Sequence, residues 1–124
     1  MFMIKKIMVV DDDSDIIMLL ESRLKRNGYA VVTAFDGMEA YEQIKKEPPD
    51  LIIADLMMPN LNGWQLRQQL KDHESYKKIP IILLSALVDK DNQPGLLDDK
   101  ECYLSKPYDV KELLTKIKEF LDET

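Results

Sequence analysis

The sequence predicts a single α/β domain in which a parallel β-sheet is covered by helices on both faces. Five short apolar runs alternate with longer stretches of helical period along the 124 residues. The apolar runs are continuous, which is typical of strands buried on both faces. Parallel neighbours need a crossover connection, and a helix after each strand supplies one. The length suffices for one domain with a single core.

The predicted strands are short and rich in aliphatic residues. They are KIMVV (6–10), AVVTA (30–34), LIIA (51–54), IPIILLS (79–85) and CYLS (102–105). Between the first two strands, Ile17, Leu20 and Leu24 recur at helical spacing, and Gly28 follows as a helix end. This pattern predicts a helix from Ser14 to Arg26.

Two pairs of polar residues mark further helix starts. Asp36 with Glu39, and Asp109 with Glu112, have the three-residue offset of a capping box, in which side chains satisfy the free amides of the first turn. Together with the apolar spacing, these signals predict helices over 37–46, 63–72 and 110–122. The segment 87–101 has a Pro-Gly pair in its middle and is expected to be irregular.

Composition and charge exclude several functions. Seventeen basic against twenty-three acidic residues give a formal charge of −6, whereas binding to a nucleic-acid backbone needs a clustered positive surface. Lys5 and Lys6 interrupt the apolar N-terminal run and Asp11 ends it, so neither a signal peptide nor a membrane span is predicted. The single Cys102 cannot form an internal disulfide and is interpreted as a core thiol. A cytoplasmic protein is therefore expected.

Polar residues stand at the carboxyl ends of four predicted strands, which is where sites form in parallel sheets. They are Asp11, Asp12 and Asp13 after the first strand, Asp55 after the third, Ser85 at the end of the fourth, and Ser105 and Lys106 at the end of the fifth. Converging carboxylates raise one another's pKa and require a cation among them. Mg²⁺ suits such a site because it binds carboxylates and also bridges to phosphate oxygens.

One of these carboxylates has the setting of a nucleophile. A carboxylate beside Mg²⁺ and a lysine can accept a phosphoryl group, because the cations neutralise charge on the phosphoryl oxygens. Asp55 is the best candidate because it stands alone at its strand end, while Asp11 and Asp12 are paired. Lys106 would supply the protein's own cation, and Ser85 would donate a hydrogen bond to a phosphoryl oxygen. The sequence thus predicts a switch with a covalently modifiable aspartate.

Four motifs occur at these strand ends, namely VVDDD (9–13), DLMMPNLNG (55–63), LLSA (83–86) and YLSKPYD (103–109). In this order they resemble the acidic pair, the phosphoacceptor strand and loop, the hydroxyl position and the lysine-proline motif of the CheY-like receiver domain of bacterial two-component response regulators. The resemblance covers essentially the whole chain. It implies one receiver domain over 1–124, a flavodoxin-like (βα)5 fold with a doubly wound parallel sheet of strand order 2-1-3-4-5.

The resemblance also implies a role for each site residue. Asp55 would be phosphorylated, and Ser85 and Lys106 would contact the phosphoryl group. The implied Mg²⁺ site consists of Asp12, Asp55, the backbone carbonyl of Met57, and Asp11, which would act through water or help to shape the site.

Two further features follow from the same resemblance. The bond between Lys106 and Pro107 would be cis. Tyr103 matches the family's switch aromatic, whose side chain moves inward when the hydroxyl of Ser85 is drawn to the phosphoryl group. A plain core aromatic remains the alternative for Tyr103.

The chain departs from the family in positions that modulate loss of the phosphoryl group. Met57 and Leu87 are both apolar there, so neither offers a polar group to guide an attacking water. Slow self-dephosphorylation is therefore expected. The protein would catalyse its own modification but turn over no ordinary substrate, so it is not expected to be an enzyme.

These features predict a stand-alone receiver that takes a phosphoryl group from a sensor histidine kinase or a histidine phosphotransfer protein. The chain ends soon after the last predicted helix, so its output would go through a downstream protein effector. No direct contact with nucleic acid or membrane is expected.

Four other interpretations of the acidic run account for less of the sequence. A polar turn before a helix accounts for Asp13 and Asp15 but not for the pair at 11 and 12. A calcium loop fails because Ile16 stands where a glycine is required. A haloacid-dehalogenase-type phosphatase would leave Asp55 unexplained. A pseudo-receiver, which keeps the fold without phosphotransfer, would usually have lost one of the site residues.

Overall fold

A five-stranded parallel sheet forms the centre of the structure, a computed structural model that describes residues 3–58, 60–85, 95, 97–106 and 109–122. The strands are β1 (Lys6–Val10), β2 (Ala30–Ala34), β3 (Leu51–Asp55), β4 (Ile81–Ser85) and β5 (Glu101–Ser105). Their order is β2-β1-β3-β4-β5, and every neighbouring pair is parallel. Both the parallel sheet and the implied strand order are confirmed.

The strand bounds differ from the predicted ones mainly around β4. β1 and β2 begin and end where the apolar runs do, and β3 extends by one residue to Asp55. The run IPIILLS starts two residues before β4, because Pro80 has no amide to donate to a neighbouring strand. Its carbonyl still accepts a hydrogen bond from Ile52 N at 2.9 Å.

Four helices occur among the described residues. They are α1 (Ser14–Arg26), α2 (Gly37–Lys46), α3 (Gly63–Lys71) and α4 (Val110–Phe120). α1 and α2 have the predicted bounds, whereas α3 and α4 end one and two residues earlier than expected. A fifth helix of a (βα)5 fold would fall between β4 and β5, where residues 86–94 and 96 lie outside the described residues, as does most of the segment expected to be irregular. No described helix combines the length and the apolar character that crossing a bilayer requires.

The two predicted capping pairs are borne out only in part. Asp36 accepts a hydrogen bond from Glu39 N at 2.8 Å, but the Glu39 carboxylate binds Phe35 N instead of the Asp36 amide. Asp109 caps α4 through Lys111 N at 2.8 Å, and not through the amide three residues on. Both aspartates start helices as expected, but the Glu39 carboxylate binds a different amide and Asp109 accepts from the amide two residues on.

Apolar side chains cover both faces of the sheet. One face packs against α1 and α4 through the buried residues Ile17, Leu20, Leu24, Leu113, Ile117 and Phe120. The other face packs against α2 and α3 through Ala40, Ile44, Leu66 and Leu70. Burial on both faces explains why the strand sequences are continuous apolar runs. It also leaves the strand ends as the place where charged groups can gather.

Candidate functional site

Three carboxylates meet at the carboxyl edge of the sheet. Because β1 lies beside β3, Asp11 and Asp12 after β1 come close to Asp55 at the end of β3. Carboxylate oxygens of the three residues lie within 4.8 Å of one another. Asp11 is 1% and Asp55 6% exposed, whereas Asp12 is exposed. Two of the three charges are therefore held out of water.

Lys106 supplies a cation between the two buried carboxylates. Its Nζ lies 2.9 Å from Asp55 Oδ2 and 3.1 Å from Asp11 Oδ2. Its backbone is anchored where β5 leaves the sheet, because Lys106 N donates to the carbonyl of Ser85 at 2.8 Å. One ammonium against three carboxylates leaves the site with an excess of negative charge.

The other oxygen of each buried carboxylate is bound by the loop that follows it. Asp55 Oδ1 accepts from Met57 N, and Asp11 Oδ1 accepts from Asp13 N, both at 2.9 Å. These bonds hold the carboxylates in one orientation. Each oxygen has a second lone pair that can bind a cation.

The electrostatics of the site favour a further cation. Burial raises the pKa of the Asp11 carboxyl, and the charge of Asp55 adds to the rise, while the Asp13 amide and Lys106 oppose it. Burial alone would lower the pKa of Lys106, but its hydrogen bonds to Asp55 and Asp11 outweigh that effect and raise it. Oxygen donors with an excess of negative charge are the ligands that Mg²⁺ prefers, so the residues present fit that ion.

Asp11→Asn is expected to stabilise the protein in the presence of a chelator, by about 0.5 to 2 kcal/mol at neutral pH. Because folding raises the pKa of Asp11, the stabilisation due to this group is complete below its unfolded pKa and is lost as pH rises through the folded pKa. At neutral pH, ionised Asp11 therefore lowers the free energy of unfolding, and the neutral amide of asparagine removes this effect. Urea unfolding at several pH values measures the difference between the two proteins.

The gain from Asp11→Asn should vanish in acid, where Asp11 is protonated in both states. The same variant is expected to bind Mg²⁺ at least about tenfold more weakly, because it removes a carboxylate from the cluster. A variant that is less stable than the unmodified protein at neutral pH without Mg²⁺ would contradict the electrostatic account.

The remaining predicted site residues lie at the same edge or next to it. Ser85 is the last residue of β4, is 4% exposed and pairs in register with Ser105. The Met57 side chain is exposed, and its amide holds Asp55. The Tyr103 hydroxyl donates to the carbonyl of Gly95 at 2.8 Å. The predictions for Leu87 and Pro107 fall outside the described residues.

Gly63 contributes to the site and was not singled out from the sequence. A Cβ atom at this position would lie 2.5 Å from the carbonyl oxygen of Asp55. Only glycine therefore allows α3 to begin directly against the end of β3. The available signal was the glycine at the first position of a predicted helix, just after the loop that follows Asp55.

Three comparisons with known proteins bear on this site. A family model described as the response regulator receiver domain matches residues 7–118. The "Probable transcriptional regulator ycf27" of Cyanophora paradoxa is 44% identical over 121 residues, which are 97% of this chain and 49% of that protein. Protein PilG of Pseudomonas aeruginosa is 39% identical over 116 residues, 91% of this chain and 84% of that protein. The chain thus spans about half of the first relative and most of the second.

A solved structure extends the comparison to the acidic cluster. The receiver domain of the sensor histidine kinase PA1611 from Pseudomonas aeruginosa matches with a TM-score of 0.84 and 25% identity, over 98% of this chain and all of that one. That structure holds a magnesium ion coordinated in its active-site cleft.

Proposed function

This chain belongs to the family of response regulator receiver domains, and on that premise we propose that it accepts a phosphoryl group on Asp55 from a phosphohistidine donor. The observation that carries the proposal is the position of Asp55. Its carboxylate is buried, shares the Lys106 ammonium with Asp11, and stands beside the exposed Asp12. A lone structural aspartate would not need two further acids at contact distance, since they raise the electrostatic cost of the fold.

In the proposed transfer, this chain supplies the nucleophile and the groups that contact the phosphoryl oxygens. A carboxylate oxygen of Asp55 attacks phosphorus, the new O–P bond forms as the N–P bond breaks, and the imidazole of the donor leaves. The Lys106 ammonium, already bonded to Asp55, neutralises charge on a phosphoryl oxygen. Ser85, at the same sheet edge, donates a hydrogen bond to another. Bound Mg²⁺ would supply the remaining positive charge.

Mg²⁺ would be held by the acidic cluster and by the loop after β3. The proposed ligands are Asp12, Asp55 and the Met57 carbonyl, with Asp11 acting directly or through water. Support comes from the chemistry of the donor set and from the magnesium ion in the cleft of the PA1611 receiver domain.

Phosphorylation would then change the surface that a partner contacts. Ser85 lies two residues beyond Leu83, which pairs in register with Tyr103 on β5. We propose that drawing the Ser85 hydroxyl toward the phosphoryl group shifts Tyr103 inward, which would break its bond to the Gly95 carbonyl. The readout is a protein contact, because the charge of −6 is unsuited to nucleic acid.

The proposed partners are a sensor histidine kinase or a histidine phosphotransfer protein as donor, and a downstream protein effector, all in the cytoplasm.

Burial raises the pKa of the Cys102 thiol to about 11, so this thiol is unreactive at neutral pH. We propose that the receiver acts as a stand-alone protein; its coverage of 84% of PilG supports this, whereas its coverage of 49% of the ycf27 regulator does not. Immunoblotting of native extracts tests this: a band near 14.4 kDa supports it, and a much larger band contradicts it.

Incubation with acetyl phosphate and Mg²⁺ tests the proposed phosphotransfer. Intact-mass measurement is expected to show the gain of one phosphoryl group, which chelation of Mg²⁺ prevents. No gain in the presence of Mg²⁺ would favour the alternative, a pseudo-receiver that binds partners without phosphotransfer. A gain on Asp11, with rapid release of phosphate, would favour a phosphatase of the haloacid-dehalogenase type.

The lifetime of the modified protein is a separate expectation. The Met57 side chain is 67% exposed beside the acceptor and offers no polar atom to orient water. We therefore expect the added mass to decay slowly after the donor is removed. A lifetime of seconds, followed by mass spectrometry in a quenched time course, would contradict this. The protein would in either case modify only itself and turn over no ordinary substrate.

A further inference from the structure

The loop after β3 is joined to the start of α2 by two hydrogen bonds. Asn60 Nδ2 donates to Asp36 Oδ2 at 3.0 Å, and Gly37 N donates to the carbonyl of Leu61 at 2.8 Å. We refer to Asp36, Gly37, Asn60 and Leu61 as the loop clamp. Asp36 uses its other oxygen to cap α2 through Glu39 N at 2.8 Å. A single carboxylate therefore orients both the helix and the loop.

The backbone of both partners is shaped for this contact. Gly37 is buried, and a Cβ atom there would overlap the carbonyl oxygen of Leu61. Asn60 has a φ of 64°, in the left-handed region that asparagine tolerates better than most residues. The close approach thus depends on Gly37, which has no side chain, at the start of α2. It also depends on Asn60, a residue that favours turns, in the loop after β3.

The loop clamp is part of a series of contacts that links the end of β1 to the loop after β3. Asp11 N donates to the carbonyl of Ala34 at 3.1 Å, which ties the end of β1 to the end of β2. Asp36 follows Ala34 by two residues and holds Asn60, three residues beyond Met57. Met57 N in turn binds Asp55. Displacement of Asn60 would therefore be transmitted to the loop that orients the Asp55 carboxylate.

We propose that Asp36 and Asn60 are positioning residues, which hold the loop after β3 so that the Met57 carbonyl and the Asp55 carboxylate are in place for Mg²⁺ and for phosphoryl transfer. The inference rests on the proposed function of Asp55. Neither residue contacts the acceptor itself. Their effect comes from fixing a loop whose backbone supplies one ligand and one hydrogen bond to the site.

Two variants remove the bond between Asp36 and Asn60 from opposite sides. Asn60→Gly deletes the side chain, keeps the left-handed backbone accessible and leaves the cap of α2 intact. Asp36→Ala deletes the carboxylate. Each is expected to weaken Mg²⁺ binding about threefold to tenfold in calorimetric titration, the range for loss of one hydrogen bond. Initial rates of phosphorylation at subsaturating Mg²⁺ should fall by a similar factor.

Matched variants separate this role from charge and from stability. Asp36→Asn removes the charge but keeps a bond, because its Nδ2 can donate to Oδ1 of a turned Asn60 amide while its Oδ1 still caps α2. Mg²⁺ affinity should therefore return to nearly that of the unmodified protein. Asp50→Ala removes the same charge and a similar bond, from Lys6 N to Asp50 Oδ2 at 2.7 Å, at the opposite end of the sheet. It should leave Mg²⁺ affinity unchanged. The double variant Asp36→Ala/Asn60→Gly should bind Mg²⁺ no more weakly than whichever single variant binds it more weakly, because both changes remove the same bond.

Three results would overturn the proposal. Mg²⁺ affinities of Asn60→Gly and Asp36→Ala that match the unmodified protein would remove the positioning role while the proposed function stands. An Asp36→Asn variant as weak as Asp36→Ala would show that charge, and not the bond, is what matters. An unmodified protein that neither binds Mg²⁺ nor gains mass would defeat the proposed function and this inference together.

Discussion

Asp55→Asn is expected to abolish the phosphoryl mass gain with acetyl phosphate and Mg²⁺ while the domain stays folded. The amide has no nucleophilic carboxylate oxygen, yet it has nearly the same shape and its oxygen can still accept the bond from Met57 N. It also removes a charge that raises the pKa of Asp11. Intact-mass spectrometry of both proteins, after identical incubation, measures the loss directly.

Asp15→Asn is the matched control for this experiment. Asp15 belongs to the same acidic run but lies in the first turn of α1, where it is exposed and outside the cluster of Asp11, Asp12 and Asp55. It should gain the phosphoryl group as the unmodified protein does. A mass gain that persists in Asp55→Asn would refute the assignment of the acceptor, and fragmentation of the modified protein would then locate the modified residue.

Arg67→Ala is expected to lower the free energy of unfolding by about 3 kcal/mol, at the low end of the cost of breaking a buried ion pair. Arg67 Nε and Nη2 lie 3.0 and 2.8 Å from Glu101 Oε1, and the Glu101 side chain is fully buried. Truncation would leave that buried carboxylate with less compensation for its charge. The low end applies because Lys71 Nζ remains 3.0 Å from Glu101 Oε2.

Lys71 compensates only in part. Its distance to Glu101 Oε2 is that of an ion pair, but this oxygen has no hydrogen bond of acceptable geometry among the described residues. After loss of Arg67, Oε2 would keep only the Coulomb attraction of Lys71, and Oε1 would keep a single hydrogen bond, from Asp98 N at 2.8 Å. The cation of Arg67 also stacks over Trp64, at 4.8 Å from the ring centroid, and that contact would be lost as well.

Urea unfolding provides the measurement, with Lys45→Ala as the control. Lys45 forms an exposed pair with Glu42 at 2.9 Å on α2, and its removal should change stability far less than the removal of Arg67. If Arg67→Ala were no more destabilising than this control, the buried pair would contribute little. Arg67→Met/Glu101→Leu should recover much of the loss, because it removes the uncompensated charge together with its partner.

The local elements of this protein were readable from short stretches of sequence. α1 and α2 begin and end where apolar spacing and capping residues predicted, because a helix is set by hydrogen bonds and side chains within a few residues of one another. The strands were recognisable as continuous apolar runs because both faces of the sheet are covered. The same reasoning placed the acids and Lys106 at strand ends, and the order of strands came from the family resemblance, not from periodicity.

One local signal was present and was overlooked. Asn62 and Gln65 form a complete capping box, with Asn62 Oδ1 accepting from Gln65 N and Gln65 Oε1 accepting from Asn62 N, both at 2.9 Å. The three-residue offset that identified the other starts applies here too. Asparagine is as good an N-cap residue as aspartate, and glutamine serves at the third position of the box, so the sequence carried the full signal for the start of α3.

The sequence had set Asp13 and Asp15 apart from the pair at 11 and 12, but only the tertiary structure decided which of these acids are buried. Asp11 is buried against Lys106, Asp12 is exposed, and Asp13 caps α1 through Asp15 N at 2.9 Å. Three identical neighbours carry no local pattern that predicts how deeply each one is buried. Their environments depend on which strand lies beside β1 and where the chain turns after it.

The long-range contacts were likewise beyond any local pattern. Arg67 and Glu101 lie 34 positions apart, and Asp36 and Asn60 lie 24 apart. The sequence around one residue of each pair does not predict its partner, because the pairing depends on the order of strands and on the approach of helices across the sheet. Sequence patterns report what a residue does within its own turn or strand, and packing decides which distant groups share a buried site.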